Sequence, residues 1–441
     1  MRPPSILSLL LHLQLTWESS AFQDFIRQRN TEFALNLYQQ FTVAEEKSNL
    51  IISPAGVTFA LGLLQLGAKG ETSAQLENAL GYTVHGSGEY NLGAYRDPAN
   101  QFEETDSRVQ HLLQSTYGAL TNSSHSPNIH LSCGLFVESG IQLSPKFSED
   151  TAIWVNGSLQ RVNFGNPNET ATLINKWVGT RSRGEIQNVI SQPIEDSSPA
   201  QIAVISTMHF KSKWQNPFSL SETQHFKFTK ADGSVIKVPM MYQVSEVNYG
   251  QIKTGGNQRF IIVELSYLEH TVSMFIIIPS ERKQGLSYVE PHITAQTLST
   301  WAKSMRRMKM EVFLPRFKVQ SKFNLKTVLS TLGITDLFSP TKADFRGISE
   351  HEKLFVSEAI HEARIEVTED GTEAAAATAM VLMKRSRALV FKADRPFFFL
   401  LRHLNTGNAL LMCFLFIYCF SYEAVAVQIT VHYVCHLPLI F

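Results

Sequence analysis

The chain has 441 residues, with 39 Lys and Arg against 39 Asp and Glu, so no global charge draws it to a polyanion and no nucleic-acid partner is expected. Apolar residues make up 44% and charged residues 18%, enough to bury a core as one large domain or as two or three smaller ones. The four cysteines, Cys133, Cys413, Cys419 and Cys435, form no CxxC or Cys/His spacing, so neither a metal site nor a cofactor is expected.

The start of the chain reads as a leader. Arg2 precedes an apolar run from Ile6 to Leu15 that is too short to span a bilayer, and Ser19, Ser20 and Ala21 offer small residues for cleavage after Ala21. Residues 1–21 are therefore expected to be a signal peptide and the mature chain to be secreted and extracellular. Sequons at Asn122, Asn156 and Asn168 agree with glycosylation.

Phe33, Leu37, Tyr38 and Phe41 have helical spacing and predict a helix over Thr31 to Phe41. A strand-like run from Asn49 is broken by Pro54, and helices are predicted over Val57 to Leu66 and Ser73 to Leu80. Gly62 to Lys69 superficially suggests a phosphate loop but lacks the Gly-Lys-Ser/Thr ending, which excludes nucleotide binding. Residues 86–105 lack apolar periodicity and read as a loop insertion. Asp106 to Leu120 then predicts a helix with Val109, Leu112, Leu113 and Tyr117 on one side and little basic content, Arg108 plus His111.

Further along, Ile129 to Glu138 reads as a strand, Pro145 to Leu159 and Glu169 to Thr180 as helices, and Ile202 to Trp214 as a strand. Residues 223–278 carry strand runs such as Val235 to Met241, Ile261 to Leu265 and Val272 to Pro279, with no helical period. Trp301 to Asp336 gives Met-Glu-Val-Phe-Leu-Pro-Arg-Phe and then a helix ending at Gly333. Lys303, Arg306, Arg307 and Lys309 form a local basic group that reads as a solvated face.

From Glu369 to Arg387 the sequence is Glu-Asp-Gly-Thr-Glu-Ala-Ala-Ala-Ala-Thr-Ala-Met-Val-Leu-Met-Lys-Arg-Ser-Arg. Local propensity favours a helix, with Asp370 or Thr372 as a cap. The same run is also a competent strand: no proline interrupts Gly371 to Arg387, so every N–H is free to join a ladder. In a sheet, Thr372, Ala374, Ala376, Thr378 and Met380 would share one face, and Glu373, Ala375 and Ala377 the other.

This segment resembles the reactive-centre loop of the serpins. So do the Ser-Pro lead into the helix with Leu-Gly-Ala, Phe-Leu-Pro-Arg-Phe, Leu-Gly-Ile-Thr-Asp-Leu-Phe, Val356 to Val367 and Ala-Asp-Arg-Pro-Phe-Phe-Phe from Ala393. The motifs spread over residues 30–412, and the loop looks most like the plasminogen-activator-inhibitor and nexin clade.

The resemblance implies an α+β serpin fold, about nine helices around three β-sheets, with the serpin domain at 22–414 and an exposed loop at 369–393. It implies a non-enzymatic, monomeric inhibitor whose partner is a trypsin-like serine protease, trapped as a covalent acyl complex. Counting from the hinge glycine Gly371 places the reactive bond at Arg385–Ser386, flanked by Lys384 and Arg387. The hinge is then Gly371, Thr372, Glu373, Ala374, Ala375, Ala376 and Ala377. The alternative is a non-inhibitory member, a carrier, chaperone or plain substrate, although such relatives tend to carry bulky or charged hinge residues that are absent here. The poorly basic helix at 106–120 argues against a heparin-type polyanion.

Serpins also carry a polar cluster beneath the point where the sheet opens, which maps to Ser53, Ser206 and His361, with Trp214 at the top of the sheet. The family serine three residues after Ser53 is Gly56 here, and the usual asparagine is Ser206. Loss of these two partners predicts an underpaired or water-bridged His361. Finally, Ala409 to Phe420 is an apolar run too short to span a membrane. Its first half is expected to form the family's last core strand, and residues 415–441 a divergent apolar tail with a folding or solubility penalty.

Overall fold

In a computed structural model the chain is described over residues 24–42, 49–81, 113–118, 120–121, 129–154, 157–191, 201–254, 259–268, 271–282, 285–369, 389–404 and 409–415. The expected leader, the expected 86–105 insertion, Asn122, Asn156, the stretch 370–388 with the expected reactive bond, Cys419 and Cys435 lie outside these residues.

The helical spacing of Phe33, Leu37, Tyr38 and Phe41 falls on a helix over residues 24–42 (α1), with all four side chains buried. Then come β1 (Leu50–Ile52), α2 (Pro54–Gln65) and α3 (Gly70–Leu80), followed by a helical segment over 113–118 (α4). The second helix starts three residues before the predicted Val57. Ser53 is extended and its hydroxyl accepts from the Gly56 N–H, while Pro54, lacking an N–H, fits the first turn. The helix is buried on all sides from Pro54 to Leu64, so it is a core element rather than an amphipathic one.

The next elements are β2 (Ile129–Glu138), α5 (Pro145–Trp154), β3 (Leu159–Val162), α6 (Pro167–Arg181), β4 (Gln201–Phe210), β5 (Gln224–Thr229), β6 (Val235–Lys253), β7 (Arg259–Ser266) and β8 (Val272–Pro279). The helix predicted to reach Leu159 is shorter. It gives way by Gly157, whose φ of 74° suits glycine, and Leu159 opens a strand paired in parallel with Leu135. A long-range ladder overrides the local helical period there. Asn168 is exposed in the first turn of α6.

The last described elements are α7 (Ala295–Ser304), β9 (Arg306–Pro315), β10 (Phe317–Asn324), α8 (Lys326–Thr331), β11 (Phe355–Val367), β12 (Leu389–Lys392), β13 (Phe397–His403) and β14 (Ala409–Leu415). Among the described residues the strands form two ladders. One is five-stranded, in the order β10-β11-β4-β2-β3. The other is nine-stranded, in the order β1-β14-β13-β8-β7-β6-β9-β12, with β5 also on β6. The 19-residue β6 pairs with β5, β9 and β7 along successive stretches, and so joins two of the three expected sheets into one continuous ladder.

The apolar run at 409–415 does form an interior strand, held between β1 and β13. Cys413 on it and Cys133 on β2 are buried free thiols, and burial pushes Cys133 up to about 12. Among the described residues no helix is long and apolar enough to cross a membrane.

Candidate functional site

The five-stranded sheet has a parallel seam in its interior, besides the parallel β2–β3 pair at its edge. β11 lies beside β4 in parallel, with Ile360 opposite Ile205 and His361 opposite Ser206. Every other neighbour of these two strands, β10 and β2, is antiparallel to them.

His361 sits in the middle of that seam, fully buried. Its Nε2 accepts from the Ser53 N–H at 2.9 Å, so the ring proton is on Nδ1, which lies 3.2 Å from Ser206 Oγ. Ser53 Oγ donates to the Leu410 carbonyl at 2.7 Å and accepts from the Gly56 N–H at 3.1 Å. Ser53 thus ties α2 to β14 and β11 together. Burial without a charged partner pushes His361 down to about 3, which keeps the ring neutral, and the Ser53 N–H at Nε2 selects the tautomer.

The underpaired histidine expected from the sequence is therefore corrected, since both ring nitrogens have partners. A Cβ on Gly56 would stand 2.7 Å from Ser206 Oγ and 3.2 Å from Ser53 Oγ. The missing side chain at 56 is what makes room for the serine hydroxyl at 206, so the two departures compensate each other. Cys133, whose Sγ reaches the Gly56 carbonyl at 3.4 Å and Ser206 Oγ at 4.0 Å, completes the cluster; the sequence offered no sign of its part.

A Gly56→Ala variant is expected to lose about 1–3 kcal/mol of stability, because overpacking drives Ser206 Oγ off His361. The loss should shrink when Ser206→Ala is combined with it, measured as a non-additive double-mutant cycle in urea unfolding. Additive losses would mean that the two positions do not share the space.

At the upper end of the seam Trp214 stacks on Tyr267 (centroids 4.1 Å apart, planes at 12°) and meets Phe218 edge-on at 5.7 Å. Its indole Nε1 donates to the Thr368 carbonyl at 2.8 Å. Glu369, just before the expected hinge, is fixed twice over: the Phe218 N–H donates to its carbonyl at 2.9 Å and Thr223 Oγ1 to its carboxylate at 2.8 Å. The Arg316 guanidinium stands 3.5 Å from that carboxylate. Trp214 was visible in the sequence; Glu369, Thr223 and Phe218 were not, because their partners lie some 150 residues away in the chain.

Between these two levels Lys211 on the β4 side pairs with Glu366 of β11 at 3.2 Å. His209 is buried next to Arg364, with Glu185 at 3.8 Å and the His130 ring stacked at 6.0 Å. Burial pushes His209 down to about 4 against the opposing pull of Glu185.

Where the chain returns at β12, Lys392 Nζ lies 4.3 Å from the Phe226 ring centroid and 5.3 Å from that of Phe313. β12 pairs with β9 over four residues, and this cation–π contact joins the buried Phe391 in holding it to the sheet. Of the predicted site residues, the structure brings Ser53, Ser206 and His361 together and places Trp214 at the top of the same seam. Gly371 to Ala377 and Lys384 to Arg387 are outside the described residues. In the basic group, Arg307 is paired with Glu246 at 2.9 Å, with both side chains largely solvated.

The sequence profile of the serpins, serine protease inhibitors, matches residues 28–415. The chain is 46% identical to probable serpin E3 of Danio rerio, over 91% of this chain and 93% of that one. It is 31% identical to glia-derived nexin of Rattus norvegicus, over 88% and 92%. Its fold superposes on a solved structure of native protease nexin-1 with heparin at a TM-score of 0.77 and 29% identity, covering 89% of this chain and 99% of that one. The α+β architecture, the central parallel seam with its buried histidine, and these likenesses agree: the chain belongs to the serpin family, in the clade that holds the nexins.

Proposed function

We propose that this serpin is a secreted suicide substrate for trypsin-like serine proteases, cut after Arg385. The guanidinium of Arg385 would enter a primary pocket whose carboxylate takes two parallel hydrogen bonds, and the protease serine would attack the Arg385 carbonyl to form an acyl-enzyme. Cleavage frees residues 371–385 from their distal anchor at β12.

The observation that carries the reading is the parallel seam. A strand folded back from the end of β11 runs antiparallel to β11, and hence also antiparallel to β4. Insertion therefore trades one parallel ladder for two antiparallel ones, which pair slightly better per residue. The length also fits: β11 has 13 residues, as has the run Gly371 to Met383. Full insertion carries the acyl-linked protease along the sheet by roughly 3.3 Å per residue. The protein performs no turnover; insertion has to outrun hydrolysis of the acyl-enzyme.

Protease nexin-1 is described with heparin. The predicted helix at 106–120 carries little basic content, Arg108 plus His111, which argues against a heparin-type polyanion as an accelerator of the proposed inhibition.

The test is incubation of the full chain with trypsin, thrombin and urokinase-type proteases, read on denaturing gels and by mass spectrometry. A covalent adduct with cleavage between Arg385 and Ser386 is expected, and Arg385→Ala should slow its formation at least 100-fold, about 2.7 kcal/mol of lost anchoring. Clean cleavage after Arg385 with no adduct would make the chain a substrate rather than an inhibitor.

A further inference from the structure

Beneath Trp214, between the β6–β9 pair and the ends of β7 and β13, lies a cavity of about 470 Å³, within the size range of small-molecule sites. Its lining is mixed. Trp214 and Leu265 offer apolar surface, and Glu264 and Arg402 face each other at 3.4 Å. Glu264 also accepts from Asn248 Nδ2 at 2.8 Å and from Ser273 Oγ at 2.7 Å, so both its oxygens are engaged.

Three other polar atoms of the lining have no hydrogen-bond partner among the described residues: Gln243 Oε1, Ser245 Oγ and Arg402 Nε. Gln243 and Ser245 are only 8% and 9% exposed, so the cavity is where their unmet capacity has to be satisfied. At the rim Arg307 and Glu246 neutralise each other, as Arg402 and Glu264 do inside.

We propose that this cavity binds a small uncharged polyhydroxylated molecule of mono- or disaccharide size. Gln243 Oε1 needs a donor, Arg402 Nε needs an acceptor and Ser245 Oγ takes either, and a set of hydroxyl groups answers all three at once. The balanced charge of the lining gives a net ion no advantage over a neutral ligand. The C–H face of a sugar ring fits the apolar surface of Trp214 and Leu265. A ligand here bears on the indole that holds Thr368; any effect on loop insertion rests on the inhibitory reading above, whereas binding itself does not.

The test uses ligand-observed NMR and calorimetry on the full chain with glucose, galactose, maltose and sucrose, and with gluconate and glucosamine as charged counterparts. Saturable binding of a neutral sugar is expected, weakened at least tenfold by Ser245→Leu, which fills the cavity, and also by Gln243→Ala, which removes an acceptor without adding bulk. Thermal melting of both variants confirms that they are folded, and Gln243→Ala alone decides if the bulkier variant is not. Absence of saturable binding, binding unmoved by the substitutions, or a preference for a charged counterpart each overturns the proposal. Adduct formation with a protease is a separate readout, so failure here leaves the inhibitory reading standing.

Discussion

An Ala376→Glu variant is expected to be cut after Arg385 by a trypsin-like protease while yielding at least tenfold less covalent adduct than the parent chain. In an inserted strand the side chains alternate, so Ala376 shares a face with Thr372 and Ala374, opposite Glu373. With Glu373 facing solvent, Ala376 faces the core, against strands whose residues on that side, such as Ser206 and His361, are buried. An unpaired carboxylate carried into that space costs several kcal/mol, and each 1.4 kcal/mol added to the barrier for insertion slows it tenfold. Hydrolysis of the acyl-enzyme then wins. Ala375→Glu, one residue away on the solvent parity, serves as the control and should retain most of its adduct. Equal adduct yields for the two variants would refute the proposed facing of the inserted strand.

The second large effect concerns His361. Replacement by alanine removes the acceptor of the Ser53 N–H and the partner of Ser206 Oγ, and opens a void among fully buried groups. The cost is expected at about 3–5 kcal/mol. The same residue should make native stability depend on pH. Its folded value of about 3 lies below the ordinary 6.5, so on acidification the unfolded chain takes up the proton first. Its contribution is therefore complete above pH 6.5 and falls away towards pH 3, at about 1.4 kcal/mol per unit. His209, held down to about 4 by burial, adds a loss in the same direction. Urea unfolding at pH 7.5 and pH 5.0 reads both; in His361→Ala the difference between the two pH values should shrink by about 2 kcal/mol. An undiminished difference would place the titrating group elsewhere.

Much of this architecture was legible because single segments carried strong patterns. Ile129 to Glu138 and Val272 to Pro279 alternate or run apolar between polar ends, and both became strands with those limits. Where the prediction slipped, a long-range partner had decided the outcome: Leu159 left a helical period to pair with Leu135, and β6 ran on through Lys253 because β9 and β7 continue its ladder. The polar cluster was half legible. Ser53, Ser206 and His361 could be placed by resemblance. That Gly56 and Ser206 are two halves of one change could not, because their fit is a distance across the core. The clamp on Glu369 and the cavity beside Ser245 are likewise products of folding.

The order of the nine-stranded sheet has one more consequence. β12, β13 and β14 all follow the Arg385–Ser386 bond in the chain, yet β13 and β14 lie inside the sheet, between β8 and β1. The segment after the cut is thus woven into the same core as the segment before it, which makes the protein a two-chain complex in waiting. A nick at the proposed bond would end covalent continuity without ending association: the molecule is expected to keep its native mass on a sizing column, and the piece beginning at Ser386 to separate only when the fold itself is undone.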